Sequence, residues 1–395
     1  MKKLLLLVSI AFSIQANAQW VQQNSTTTNF LMSIHFPSTS VGYSLAETGY
    51  LYKTTNGGTN WNMVGSHQDM WGQVYFTSID TGFVTGARGV LKTVNGGLTW
   101  VDNFSDSIYT NSLSFVTSDI GYVTGINING DSTLVYKTTN AGATWSRVSS
   151  IYTFMGVQAI YFINASTGFL NSYGDALYKT VDGGLTWIPK STVSTLYSFS
   201  FPSPLIGYAV GDFDLLKTTD GGETWNVLTN TNPQALYSVF FTSNTTGYIV
   251  GGDGFSSGAI EKTIDGGATW SVDLGIAQTF NSVHFPNANY GYACGTAGTI
   301  YKLTTTVDIT ETPDATTLTL SPNPVSNQLT VTSQKATIKE IKIMNSLGEE
   351  MKNWNLGMGN EKSATVDVSG IAKGIYFIQL TDENKNSINK KIIIQ

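Results

Sequence analysis

Lys53-Thr54-Thr55-Asn56-Gly57-Gly58-Thr59-Asn60-Trp61 is the stretch that decides the fold. The same nine-residue box returns at 92–100, 137–145, 179–187, 217–225 and 262–270, so that Trp61, Trp100, Trp145, Trp187, Trp225 and Trp270 stand 39, 45, 42, 38 and 45 residues apart. A period of that size is one four-stranded unit of a propeller or solenoid. A second signature precedes each box: a Phe followed six residues later by Gly and an aromatic. It occurs at Phe36/Gly42-Tyr43, Phe76/Gly82-Phe83, Phe115/Gly121-Tyr122, Phe162/Gly168-Phe169, Phe201/Gly207-Tyr208, Phe241/Gly247-Tyr248 and Phe285/Gly291-Tyr292.

There are thus seven first halves and six complete second halves. The seventh unit reaches Tyr301-Lys302 and loses the box. Trp20, 16 residues before Phe36 and 41 before Trp61, supplies the missing tryptophan. An N-terminal strand that completes the last unit closes a ring, whereas a linear solenoid would carry capping repeats. The expected architecture is all-β: a seven-bladed β-propeller closed by the N-terminal strand, followed by a small Ig-like β-sandwich. In the second unit the four strands are expected at 73–76, 82–86, 90–94 and 99–103, with the box as the turn between the third and fourth. The Gly pair allows positive φ, and the preceding Asn or Asp can accept backbone N–H groups.

Composition agrees. Charged residues are 12% of the 395, about half the usual share, while Gly numbers 40 and aromatics are 12%. Many short strands joined by tight turns fit those figures better than helix bundles or disorder. The net charge is −6, and Arg88 and Arg147 are the only arginines. Nucleic acid and anionic membrane are therefore not expected partners, because both need clustered cations. The single cysteine excludes a disulfide framework and a Cys-based zinc site.

Residues 1–18 read as a signal peptide: Lys2 and Lys3, an apolar run over 4–14, then Ala16-Asn17-Ala18 as the cleavage site. The apolar run is too short to span a bilayer, and no membrane span is expected in the mature protein. The expected domains are the propeller at 19–303, a linker at 304–316 and a C-terminal domain at 317–395. Strand alternation resumes there at Leu318/Leu320, Leu329/Val331, Ile341/Ile343, Val366/Val368 and Tyr376/Ile378/Leu380, as in a β-sandwich of about seven strands.

Two resemblances follow. Ser321-Pro322-Asn323-Pro324, Asn345-Ser346-Leu347-Gly348, Gly374-Ile375-Tyr376 and the terminal Lys390-Lys391-Ile392-Ile393-Ile394 resemble the C-terminal sorting domain of the type IX secretion system. This implies export by signal peptide and then by the type IX machinery, with the domain usually cleaved. The box resembles the Asp-box of BNR-like repeats, and the fuller unit is most similar to the propellers of the photosystem II stability and assembly factor-like family. That resemblance implies the fold and says little of function.

The box residues Asn56, Asn95, Asn140, Asp182, Asp220 and Asp265 alternate amide and acid at one repeat position, which fits turn capping and not proton donation. The box lysines, seven of the eight in the propeller, point to a repeated strand contact. A sialidase would need a cluster of arginines for its substrate carboxylate, and two arginines do not supply three. The same scarcity departs from the photosynthetic members, whose partner surface is arginine-rich. His35 and His284 precede the signature Phe in neighbouring units, with Cys294 nearby. Ordinary strand residues at equivalent positions favour packing over a metal site, so no metal and no cofactor are expected.

The loop residues that the repeat does not explain are more telling. Those between second and third strands hold Glu47, Arg88, Asn127, Asp131, Tyr173, Asp175, Asp212, Asp214 and Asp253. Those before the first strands hold Trp71, Tyr109, Tyr152, Phe154, Tyr197, Tyr237 and Phe280. Both loop types belong to one face of a propeller. Trp71, Arg88, Tyr109, Tyr152, Asp212, Asp214 and Asp253 are the candidate ligand residues there. With 10 cations against 17 acids over 19–303, a neutral glycan or a cationic peptide is preferred to an anion. The expected function is a secreted or surface binding protein, monomeric, with a glycan or protein ligand. The alternatives are a glycan-active hydrolase and an assembly or maturation factor; no catalytic residue stands out.

Overall fold

A computed structural model describes residues 18–102, 104, 108–127, 130, 132–152, 156–172, 176–192, 195–212, 214–229, 234–254, 256–305, 318–333, 337–345, 350–356, 362–382 and 387–395. Residues 1–17 of the expected signal peptide, most of the expected linker, and Asp131, Phe154, Tyr173 and Asp175 lie outside the described residues. The chain divides into two compact units, 1–307 and 308–395. No helix among the described residues is long and apolar enough to cross a membrane.

The described part of the first unit forms seven four-stranded antiparallel sheets. Their innermost strands are Leu31–His35, Met70–Phe76, Tyr109–Phe115, Val157–Phe162, Leu196–Ser200, Ala235–Phe241 and Phe280–Asn287, numbered here sheets 1 to 7. Each inner strand contacts the next, and the seventh contacts the first. In sheet 7 the outermost strand comes from the N-terminus: Ala18–Gln22 pairs antiparallel with Ile300–Thr305, with Trp20 opposite Leu303. In sheet 2 the strands are Met70–Phe76, Gly82–Gly86, Gly89–Thr93 and Val101–Asp102. The inner strand is longer and the outer one shorter than the spacing predicts. Thr99 stays in the turn because its N–H is held by Asn95 Oδ1 at 3.0 Å.

The signature residues build the joints between sheets. The Phe of each sheet stacks on the Gly-linked aromatic of the preceding sheet, Phe36 on Tyr292, Phe76 on Tyr43 and so on round the ring, at centroid distances of 3.4–4.8 Å. The same Phe receives the edge of its own sheet's Trp at 5.8–6.4 Å and 80–89°. Trp20 fills this role in sheet 7, and its indole N–H donates to Asp273 at 2.9 Å. The signature Gly is required because a Cβ on Gly42 would sit 2.3 Å from the Phe36 ring. Each box lysine lies over the Gly-linked aromatic of its sheet at 5.1–5.9 Å, a cation–π contact repeated seven times.

The boxes form near-identical turns. The Thr before each Asn or Asp donates to that side chain and accepts the N–H of the second Gly, as Thr54 does with Asn56 and Gly58. The Asn or Asp accepts the N–H four residues on: Asn56 from Asn60, Asn140 from Thr144, Asp220 from Thr224 and Asp265 from Thr269. Gly57 and Gly58 have φ of 65° and 89°. Amide and carboxylate thus accept the same N–H, while the Thr hydroxyl beside them turns over, accepting from Asn95 and Asn140 Nδ2 and donating to Asp182, Asp220 and Asp265. The Asp182 and Asp265 carboxyls are held down to about 2, first by the hydroxyls of Thr186 and Thr269.

The second unit has two antiparallel sheets, one of Leu318–Ser321, Gln328–Ser333 and Ser363–Asp367, the other of Glu350–Asn355, Ile338–Met344, Gly374–Asp382 and Ser387–Ile394. They enclose one core that includes Leu329, Val331, Ile341, Val366, Ile378 and Ile392. Asn323 ties the first motif to the last strand: its Nδ2 donates to the Lys391 carbonyl at 3.1 Å and its Oδ1 accepts Ile393 N–H at 2.9 Å.

Candidate functional site

Each inner strand is the edge of its sheet, so its outward N–H groups need partners. Side chains of the preceding sheet supply them. Ser33 Oγ accepts Val74 N–H, Gln73 Oε1 accepts Leu113 N–H, and Ser112 Oγ accepts Ile160 N–H. Ser198, Ser238 and Ser282 do the same for Val239, Val283 and Ile34. One layer further on, His35 Nδ1 accepts Phe76 N–H and His284 Nδ1 accepts Phe36 N–H, each at 3.3 Å.

The centroids of the two imidazoles are 4.3 Å apart, their planes tilted by 47°, where sheet 7 meets sheet 1, with Tyr75 4.4 Å from His35. Burial pulls His35 well below the usual histidine range, helped by His284, and lowers His284 to about 4. Both rings are therefore neutral at ordinary pH, with Nδ1 as acceptor and the proton on Nε2. Cys294 packs instead with Leu31, Ile34 and Phe36, and burial pushes its thiol up to about 12.

The seven inner strands surround a cavity of about 870 Å³, within the range of small-molecule sites. A β-bulge aims residues into it. Four positions before the signature Phe, the pairing to the second strand skips Met32, Asn111, Gln158, Tyr197, Tyr237 and Asn281 in six of the sheets. All six line the cavity. Sheet 2 has a wider interruption, from Met70 to Val74. The Thr85 hydroxyl enters that gap, accepting Gln73 N–H at 2.7 Å and donating to the Asn111 carbonyl at 3.1 Å. Trp71 lines the cavity as a result.

The bulges lie toward the end where the second-to-third-strand loops meet the segments before the inner strands. Glu47 N–H bonds the Phe30 carbonyl there, Ala87 that of Asp69, and Asp212 that of Thr195. The boxes are at the other end, where Gly57 N–H bonds Ser40 and Gly96 N–H bonds Asp80.

Of the candidate ligand residues, Trp71 lines the cavity, and Asp212 and Asp253 gather beside it. Tyr197 Oη donates to Asp212 Oδ1 at 2.8 Å, and the Tyr197 and Tyr237 rings are 5.5 Å apart. The Tyr237 phenol is raised by burial and then by the charges of Asp212 and Asp253. Asp253 also caps its own turn through Ser256 N–H and Ser257 N–H, and the Asp214 carbonyl accepts Gly211 N–H.

Arg88, Tyr109 and Tyr152 are not among the residues that line the cavity. Arg88 is exposed, with Nε 3.6 Å from Asp69. It belongs to sheet 2, across the ring from sheets 5 and 6. Tyr109 opens an inner strand but is 48% exposed. Tyr152 ends the outermost strand of sheet 3 and is 81% exposed; it is not a lining residue, because that strand runs on through the position assigned to the loop. Phe280 is fully buried in the core of sheet 7. The cavity-lining amides Gln73, Asn111, Gln158 and Asn281 escaped the sequence reading. Asn111, Gln158 and Asn281 share an offset of four from the signature Phe and Gln73 stands three before it; those offsets were visible, but the bulge that turns the residues inward was not.

Residues 319–395 match the family described as the secretion system C-terminal sorting domain, and residues 65–187 match the photosynthesis system II assembly factor YCF48 family. No curated protein matches the chain. Among solved structures, YCF48 bound to D1 peptide and YCF48 from Cyanidioschyzon merolae are each 18% identical with a TM-score of 0.59, covering 73% of this chain and 97% and 99% of theirs. An ancestral GH74 enzyme is 14% identical with a TM-score of 0.55, covering 95% of this chain and 63% of its own. These likenesses establish the propeller fold alone. The sorting domain directs export through type IX secretion to the cell surface or extracellular space. The chain joins a propeller of the photosystem II assembly factor-like kind to a type IX sorting domain.

Proposed function

We propose that the chain is a secreted or surface-displayed binding protein whose ligand docks at the bulge end of the cavity. In this reading the seven sheets are the blades of a seven-bladed propeller closed by the N-terminal strand. The mature protein starts at Gln19, and the Ig-like tail at 317–395 is removed on export. One observation carries the reading. At the box end six of the seven sheets repeat the same chemistry, whereas the bulge residues Met32, Trp71, Asn111, Gln158, Tyr197, Tyr237 and Asn281 are of five kinds and surround a cavity. A residue the repeat does not dictate is free to serve a ligand.

A hydrolase of glycosides would need two carboxyl groups flanking the bond. No Asp or Glu is among the described cavity-lining residues, and the nearby Asp212 and Asp253 both act on Tyr237 from adjacent sheets. Binding without turnover is the reading these positions support.

The test compares the two ends. Labelled full chain should bind its own cells or their extracellular polymers, and Trp71→Ala or Tyr237→Ala should abolish that binding. Leu98→Ala and Leu185→Ala, at exposed box positions, should leave it intact. The reverse pattern would place the ligand at the box end. Mass spectrometry of secreted protein should find Gln19 as the first residue and no peptides from the tail.

A further inference from the structure

We propose that the cavity takes the end of a neutral glycan, seated between Trp71 on sheet 2 and the Tyr197–Tyr237 pair on sheets 5 and 6. This rests on the binding function argued above and names the class of ligand.

Charge is the first argument. The described lining residues include no Asp, Glu, Lys or Arg, and the two histidines in the wall are held neutral by their backbone bonds and burial. A carboxylate moved into such a site loses its hydration without a counter-charge, which costs several kcal/mol by order of magnitude; an ammonium would meet only Asp212 and Asp253, which stand outside the lining and are already bonded to Tyr197 and to the Ser256 and Ser257 N–H groups. A ligand rich in hydroxyls loses far less where amides and hydroxyls replace the water.

The polar groups suit hydroxyls. Asn111 Nδ2 is spent on the Val157 carbonyl and Asn281 Nδ2 on the Leu31 carbonyl, so each amide is fixed in orientation by the wall. Gln158 lies between Asn111 and Tyr197 in the ring order, and Asn281 stands on the far side of Tyr237. An amide presents both a donor and an acceptor, and a sugar hydroxyl is both as well. Deeper, His35 and His284 carry their protons on Nε2, the nitrogen not used by the backbone.

The aromatic groups suit ring faces. Trp71 is half-buried on one side of the ring of sheets, and Tyr197 and Tyr237 are half-buried on the opposite side. Tyr197 is held by its bond to Asp212, so its plane is set before the ligand arrives. Preset aromatic planes give contact area at small entropic cost.

A peptide fits less well for a reason specific to this wall. Peptides that bind sheets often add a strand and need free edge N–H groups. Here the edge N–H groups of Val74, Leu113, Ile160, Val239, Val283 and Ile34 are already taken by side chains of the preceding sheet. The wall offers side chains and not a strand edge.

The experiment is isothermal titration of the full chain with neutral cello-, xylo-, manno-, malto- and chito-oligosaccharides, with oligogalacturonate and an uncharged peptide pool alongside. At least one neutral oligosaccharide should bind. Trp71→Ala and Gln158→Leu should each weaken it about tenfold or more, while Tyr152→Ala should leave it unchanged. Melting temperatures of the variants separate lost contact from lost fold, and Tyr197→Phe, which removes one hydroxyl only, repeats the test at lower risk. If oligogalacturonate or peptide binds in place of the neutral sugars and Trp71→Ala abolishes it, the site stands and the glycan class is overturned. If a neutral sugar binds but ignores both Trp71→Ala and Gln158→Leu, the seating is overturned together with the proposed docking end. If no neutral oligosaccharide binds at millimolar concentration, the proposal fails.

Discussion

The two ends of the propeller obey different rules. At the box end Thr, Asn or Asp, two turn residues and Trp recur sheet after sheet, and the same few hydrogen bonds recur with them. At the bulge end one backbone irregularity recurs while the side chain it carries changes: Met32, Asn111, Gln158, Tyr197. The first end shows what the fold requires. The second shows where the fold leaves the side chain free.

The largest expected effect breaks the repeat itself. Trp61→Ala empties a fully buried site against Phe36 and should cost about 3–5 kcal/mol in chemical denaturation. Trp20→Ala should cost a similar amount, because Trp20 holds the same place on Phe285. A Trp20→Ala protein as stable as wild type would separate the seventh sheet from the other six.

Acid should distinguish the cavity wall from the box turns by pH. His284 has a folded pKa of about 4 against an ordinary 6.5, so the unfolded chain takes up its proton first. Its contribution is complete above pH 6.5 and is lost as pH falls from there to 4, by roughly 2–3 kcal/mol. Asp182 and Asp265, lowered to about 2, contribute above their ordinary 3.8 and lose that contribution as pH falls from there through 2. Urea titrations at pH 7, 5, 4 and 2.5 should therefore show an early loss that His284→Asn reduces and a later one that it does not. A single loss below pH 4 would mean the histidines carry none of it.

A smaller effect is expected within the boxes. Asp182→Asn keeps the acceptor that Asn56, Asn95 and Asn140 already use, so the melting temperature should move by only about a degree or two at pH 7. A large shift would show that the carboxylate does more than cap. The smallest effect is expected from Tyr152→Ala, which removes an exposed ring from an outer strand and should change neither melting temperature nor ligand binding.

The tail offers a second reading of the same rule. Its motifs at opposite ends of the domain sequence are one contact in space, Asn323 against Lys391 and Ile393. Sequence order displayed them as separate signatures.

The sequence by itself determined what repeats. The box spacing, the signature Phe and Gly, and the position of Trp20 are periodic facts, and each periodic residue has a local or nearest-neighbour partner that the same period supplies. Only the tertiary structure decided the site. Tyr197 and Tyr237 are 40 residues apart in sequence and 5.5 Å apart between ring centroids, and Gln158 and Asn281 share a cavity because a bulge turns both toward one axis. A bulge is a shift of register between two strands, set by how their edges are hydrogen-bonded. No single strand's sequence carries that information, because it belongs to the pair and to the closed ring around it.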